Sequence, residues 1–190
     1  MFAGHFGLAA GIRAKAPEVP LWALMLGTQL LDVVFVPLFV SGVETIDDQH
    51  GVGYGKAIIH ADYTHSLLGA LILALLAGLL AKKLWGKRAS FIMAGVVFSH
   101  WILDLVVHRA DMPVFPANWG NLPLLGLGAW RFEGLSVTIE LLLLVIGFGM
   151  YAGSALRRAG AARRKTAIAS SIVLGGVLGF ALITDVTGLF

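Results

Sequence analysis

The sequence predicts an all-α integral membrane protein: a bundle of five transmembrane helices with a short N-terminal helix half-inserted beside them. Three observations predict it. Hydrophobic residues make up 58% of the 190 residues and charged residues only 13%, where a soluble domain carries about a quarter charged. Five apolar stretches are long enough to cross a bilayer, which takes about 20 residues of helix. The basic residues gather at alternate turns between those stretches, as the positive-inside rule requires of a multi-pass chain. No internal repeat, low-complexity segment or second domain interrupts residues 1–190, so the chain reads as one domain.

Taken in order, the first segment, residues 2–14, is apolar except for His5 and Arg13. It is too short to span, and Pro17 and Pro20 separate it from the next helix. Its charges follow the apolar residues instead of preceding them, so it does not read as a secretory leader. With Arg13 and Lys15 at the cytoplasmic edge, a half-inserted helix brings His5 to mid-depth. An interfacial helix with His5 among head groups is the alternative. The five spans are expected at residues 20–41, 61–84, 89–108, 130–156 and 166–187. The first outer loop, "GVETIDDQHGVGYGKAIIH", is glycine-rich and expected to be irregular. The second, "RADMPVFPANWGNLPLLGLG", carries three prolines and Trp119, with Trp130 just beyond it, and suits an interfacial cap with short helical turns. The pairs Gly149/Gly153 and Gly175/Gly179 are weak signals for close helix packing.

Eleven of the fourteen Lys and Arg residues lie in three groups. These are Arg13 with Lys15, the turn "KKLWGKR" and the loop "RRAGAARRK". Alternate crossing puts all three on one side, which the positive-inside rule makes cytoplasmic. The C-terminus and both long loops then lie outside, and the expected location is a bacterial inner membrane. Because the basic runs sit at span ends, the net charge of +3 reports topology and contact with membrane lipids, and no nucleic-acid partner is expected. Cysteine is absent, so no disulfide framework exists.

Chemistry is carried by ionisable residues inside the spans, which are expensive there and tend to be functional. In "FSHWILDLVVHRAD", His100, Asp104 and His108 fall at i, i+4 and i+8. On a helix they share about 80° of arc. Counting depth from the basic turns at about 1.5 Å per residue places Asp32 near mid-membrane. On the same count His100 lies just beyond it, and Asp104, His65 and Glu140 lie in the outer half. His5 joins them if its helix inserts. Singly, each has a bland reading: a hydrogen-bonded core histidine, an Asp32 paired with Gln29 and Thr28, a solvated Asp185, Glu133 or His108. Together, buried acids are matched by histidines with no buried Lys or Arg. Carboxylates with neutral imidazoles are a ligand set that a divalent cation compensates. A proton relay is the competing reading. Mixed N/O ligation favours zinc, with manganese, iron or nickel as alternatives. A two-ion version with Glu140 bridging is the weaker form.

The stretches "FAGHFGLAAGI", "QLLDVVF", "DYTHSLLG" and "SHWILDLVVHRADMPV" resemble the YdjM-like membrane-bound metal-dependent hydrolases, from the N-terminus to about Glu140. By position, the resemblance implies metal ligation by His5, Asp32, His65, His100 and Asp104. It is also similar, more distantly, to zinc-dependent phospholipase C-type helical enzymes. "ETIDDQH" in the first outer loop has no match in the pattern. The expected activity is hydrolysis of a lipid-like ester or phosphoester from the outer half of the bilayer. Glu140, or Asp62 beside His65, is the expected general base for a metal-activated water. Tyr63, Trp101 and Trp130 are candidates for an apolar entrance. Two other classes stay open: a transporter or channel for metal ions or protons, and a non-catalytic protein with a structural metal.

Overall fold

A computed structural model describes residues 2–47 and 57–188. Six α-helices carry the fold: α1 (Phe2–Lys15), α2 (Leu21–Thr28), α3 (Leu30–Val40), α4 (Leu67–Trp85), α5 (Lys87–Val107) and α6 (Glu133–Thr187). Three of them, α4, α5 and α6, are long and apolar enough to cross a membrane, and α2 with α3, bent by 52°, makes a fourth such unit. The protein is a membrane protein built from helices, as composition predicts.

Helix α6 has 55 residues, and a straight helix of that length would reach about 80 Å. Gly160 prevents this. Its backbone (φ 57°, ψ −172°) is non-helical and divides α6 into two arms. The expected spans 130–156 and 166–187 fall on either side of the break. The arms fold back on each other: a Cβ on Gly175 would lie 3.1 Å from the Phe148 ring. Leu144 from one arm and Leu174, Leu178 and Ala181 from the other share a core cluster with Ala3 and Ala10 of α1.

Helix α1 lies against the first arm of α6 with their backbones touching. A Cβ on Gly7 would come within 2.6 Å of the Leu143 carbonyl, and one on Gly147 would collide with the Gly7 carbonyl oxygen. Small residues permit this approach, which lets backbones pack without a hydrophobic driving force. The contact uses Gly7, Gly11 and Gly147. Gly149 and Gly179, two of the glycines expected to pack, have nothing within 4 Å of a Cβ. A second small-residue face, Ala70, Ala74, Gly78 and Ala81, is the buried stripe of α4. Its Gly78 would place a Cβ 3.0 Å from the Ser90 carbonyl of α5.

The helices are tied at both ends. Arg88 donates to the Lys15 carbonyl and Arg158 to the Ala14 carbonyl, so the three basic groups do meet at one end of the bundle. At the other end Asp185 accepts from the Ala3 N–H at 2.8 Å and Glu140 from the Gly4 N–H at 3.3 Å. These two carboxylates satisfy donors at the start of α1 where no helical partner exists. Asp185, expected to be merely solvated, is thus a helix anchor.

The glycine-rich loop expected to be irregular holds a strand pair where it is described. Two strands, β1 (Thr45–Asp47) and β2 (Ile58–His60), pair antiparallel with Ile46 opposite Ile59. Asp48 and His50 lie outside the described residues. The second loop holds the expected short turns, two 3-10 turns at Pro116–Asn118 and Ala129–Arg131. It also accepts from the first N–H groups of α4: Leu67 N–H donates to the Pro113 carbonyl and Leu68 N–H to Val114.

Candidate metal centre

Four separate elements deliver the five expected ligands to one place. His5 comes from α1, Asp32 from α3, His65 from the turn before α4, and His100 with Asp104 from α5. Donor atoms of His5, His100 and Asp104 all lie within 4.8 Å of one another, as do those of Asp32, His65 and His100. Buried His and Asp groups here could therefore hold a metal ion.

The contacts within the group are close. His100 Nε2 lies 2.9 Å from Asp104 Oδ2, 3.2 Å from His65 Nε2 and 3.6 Å from Asp32 Oδ1. His65 Nε2 lies 3.4 Å from Asp32 Oδ1 and 3.5 Å from Asp104 Oδ2. His5 Nε2 approaches the other Asp104 oxygen, Oδ1, at 3.5 Å. A tetrahedron of N and O ligands at ~2.0–2.1 Å from one ion has edges of ~3.3 Å. Five edges among His65, His100, Asp104 and Asp32 scatter around that value.

Local structure fixes which nitrogen of each imidazole faces the site. Between α2 and α3 the chain bends at Gln29, and the Thr28 carbonyl accepts from His100 Nδ1 at 2.6 Å. A carbonyl only accepts, so Nδ1 carries the proton and neutral His100 presents a lone pair at Nε2. His65 is set by a longer chain. Its Nδ1 lies 2.9 Å from Thr64 Oγ1, which is 3.0 Å from each oxygen of Glu44. An ionised carboxylate only accepts, so the Thr64 hydroxyl donates to Glu44 and accepts from His65 Nδ1–H. The Tyr63 and Thr64 N–H groups also donate to Glu44, each at 2.8 Å, and the Trp101 indole N–H donates to the His65 carbonyl. His65 Nε2 is then a second lone pair, 3.2 Å from the first.

This arrangement converges four acceptors, His65 Nε2, His100 Nε2, Asp104 Oδ2 and Asp32 Oδ1, with no donor between them. One proton on His100 Nε2 would serve its 2.9 Å contact with Asp104 and leave His65 facing acceptors. A divalent cation would meet three of these lone pairs at once. The donor set fits a metal better than a proton.

All five residues line a cavity of about 220 Å³. Phe2, Phe35, Ile46, Ile59 and Trp130 supply apolar walls, and His108 lines it as well. No Lys or Arg lines it among the described residues. The Asp32 side chain is 42% exposed, whereas that of Asp104 is 6%, so Asp32 stands at the open side.

The two expected bases are not among the lining residues. Glu140 is fully buried and accepts from the Gly4 N–H, one residue before His5. Asp62 is partly buried, and its carbonyl accepts from the Ala117 N–H. Of the three aromatic residues expected at the entrance, Trp130 lines the cavity, Trp101 is buried behind His65, and Tyr63 is exposed. His108, expected to be solvated, is buried with Nδ1 3.0 Å from Asp111 Oδ1. Sequence reasoning missed Glu44 and Thr64. The available signal was the Thr beside His65. Glu44 gave none, since a loop acid among Asp47 and Asp48 reads as solvated.

Compared with protein-family models, curated proteins and solved structures, the chain matches none.

Proposed function

We propose that this protein is a membrane-embedded, metal-dependent hydrolase of the YdjM-like kind, acting on a lipid-like ester or phosphoester. The observation that carries the reading is the gathering of His65, His100, Asp104 and the part-exposed Asp32 in one cavity with apolar walls. Zinc is the proposed ion, since borderline nitrogen and hard oxygen ligands suit it. A divalent ion held there supplies Lewis acidity and lowers the pKa of a water molecule toward neutrality.

The chain's own residues do the rest. His65, His100 and Asp104 would hold the ion and leave a position for water, and His5 steadies the second oxygen of Asp104. Phe2, Phe35 and Trp130 exclude bulk water and accept an acyl or isoprenoid chain. Asp32, whose side chain is 42% exposed beside His65 and His100, would be the carboxylate that takes a proton from that water. This role replaces the one expected of Glu140 and Asp62, which lie off the cavity wall. In this reading the two arms of α6 are separate crossings, giving five with the bent α2–α3 unit. The basic turns face the cytoplasm of a bacterial inner membrane, and the cavity opens to the outer half of the bilayer.

A structural metal is the second reading, because the ligands tie four separate elements together. Turnover separates the two. Purified protein offered a panel of lipid esters and phosphoesters should hydrolyse at least one class, lose that activity to a chelator and regain it with zinc. Unfolding on chelation, with no turnover of any class, would favour the structural role. Metal flux into liposomes would favour transport.

A further inference from the structure

The strand pair beside the metal centre has two different faces. Side chains alternate along a strand, and directly opposed residues of an antiparallel pair share a face. Ile46 opposes Ile59, so these two make one face. Thr45 opposes His60 and Asp47 opposes Ile58, which puts the polar side chains of the pair on the other. The all-apolar face is the one that lines the metal cavity. Ile46 lines the cavity and is nevertheless 40% exposed, so the protein's own packing does not cover it.

Hydrogen bonds hold this wall at a fixed place relative to His65. At the root of β1 the Val43 and Glu44 N–H groups donate to the Leu38 carbonyl of α3, at 2.9 and 3.2 Å. The Glu44 carboxylate accepts from the Tyr63 and Thr64 N–H groups, and Thr64 Oγ1 lies 2.9 Å from His65 Nδ1. Just after β2 the Ala61 carbonyl accepts from the His65 N–H at 3.1 Å. The same few residues therefore orient a metal-site imidazole and seat the apolar pair. Phe2 from α1 and Phe35 from α3 add apolar surface to the cavity. The Phe35 ring stands edge-on to His65 with centroids 6.2 Å apart.

We propose that the β1–β2 pair sets the length of the acyl chain that the site accepts, with Ile46 and Ile59 as the stop against which the chain ends. The proposal deepens the hydrolase reading, on which it rests for the bond that is cut. A ligand filling this cavity meets imidazole and carboxylate groups as well as five apolar side chains. That is the polarity of a lipid ester, and helices α4, α5 and α6 are apolar enough to stand among such lipids. A wall fixed to the metal site measures a chain from its reacting end. Isoleucine is stiff at χ1, so an over-long chain does not push the wall aside. Each further buried methylene strengthens binding about fourfold until the wall is met, and there the gain stops.

The test uses the full chain, loaded with zinc in neutral detergent, and reads binding by native mass spectrometry. The probes are straight-chain alkyl hydroxamates from butyl to hexadecyl, whose head group chelates the ion. Comparing each variant with the wild type cancels partition into the micelle. Chains longer than the wild-type optimum should bind Ile46→Ala and Ile59→Ala about tenfold more tightly than wild type, the gain from about two methylenes. Ile59→Phe should move the optimum to shorter chains. Ile58→Ala, on the other face, should leave it unchanged. A moved optimum in protein that hydrolyses no ester would support the length gauge and count against the hydrolase reading. The same optimum in wild type, Ile46→Ala, Ile59→Ala and Ile59→Phe would overturn the proposal. So would an equal shift in Ile58→Ala, or wild-type protein that holds no hydroxamate of any length.

Discussion

His100 uses its two nitrogens for different tasks: Nδ1 donates to the Thr28 carbonyl at the helix bend, and Nε2 faces the ligands. His65 repeats the division through Thr64 and Glu44. Outer partners of this kind hold a ligating imidazole in one tautomer, and their loss costs about 10–100-fold in metal affinity. Thr64→Val is therefore expected to weaken zinc binding by that factor, Thr64→Ser to restore it, and Glu44→Gln to fall between them. Competition titration with a chromophoric chelator checks all three, and equal affinity in Thr64→Val and wild type would remove the relay from the account. Protons compete for the same imidazole nitrogens, so affinity should fall as pH falls. The five grouped residues were legible because histidine and aspartate stand out in apolar spans. Glu44 was not, because its burial depends on β1 and on N–H groups of Tyr63 and Thr64 that are 19 and 20 residues away.

Two features of whole elements escape sequence reading. The bend between α2 and α3 has no proline at its centre, and it accompanies the insertion of a side chain, His100, into the carbonyl ladder. The β1–β2 pair is three residues per strand inside a glycine-rich loop, too short for a period to register. Helix α1 was legible in part: its length and lone His5 pointed to insertion, and the structure packs it against α6 through Gly7 and Gly147. Gly147→Leu should force the two backbones apart and lower thermal stability in detergent by ~1–3 kcal/mol. It should also weaken metal binding, since His5 rides on α1. His5→Ala should weaken binding while leaving stability and membrane insertion near wild type. Unchanged metal affinity in both variants would place α1 outside the site.

For the whole molecule, composition carried the class, and the basic turns support the proposed topology. The count of five crossings belongs to the proposal: three helices, or four units with the bent pair, are long and apolar enough to cross, and α6 runs through the break at Gly160 as one 55-residue element. The absence of native cysteine makes the proposed topology open to labelling. A cysteine placed at position 87 should be protected from an impermeant reagent added outside, and one at position 119 should react. Reaction at 87 from outside would invert the account and put the cavity on the cytoplasmic side.

The central claim is that the acceptors gathered around His100 hold a metal ion. Elemental analysis of purified protein tests it most directly. The account predicts about one zinc-like ion per chain, lost in His100→Ala and in Asp104→Ala and kept in His60→Ala, whose histidine is exposed on β2. Full metal content in both site variants, or a wild-type chain that binds no divalent ion, would contradict it.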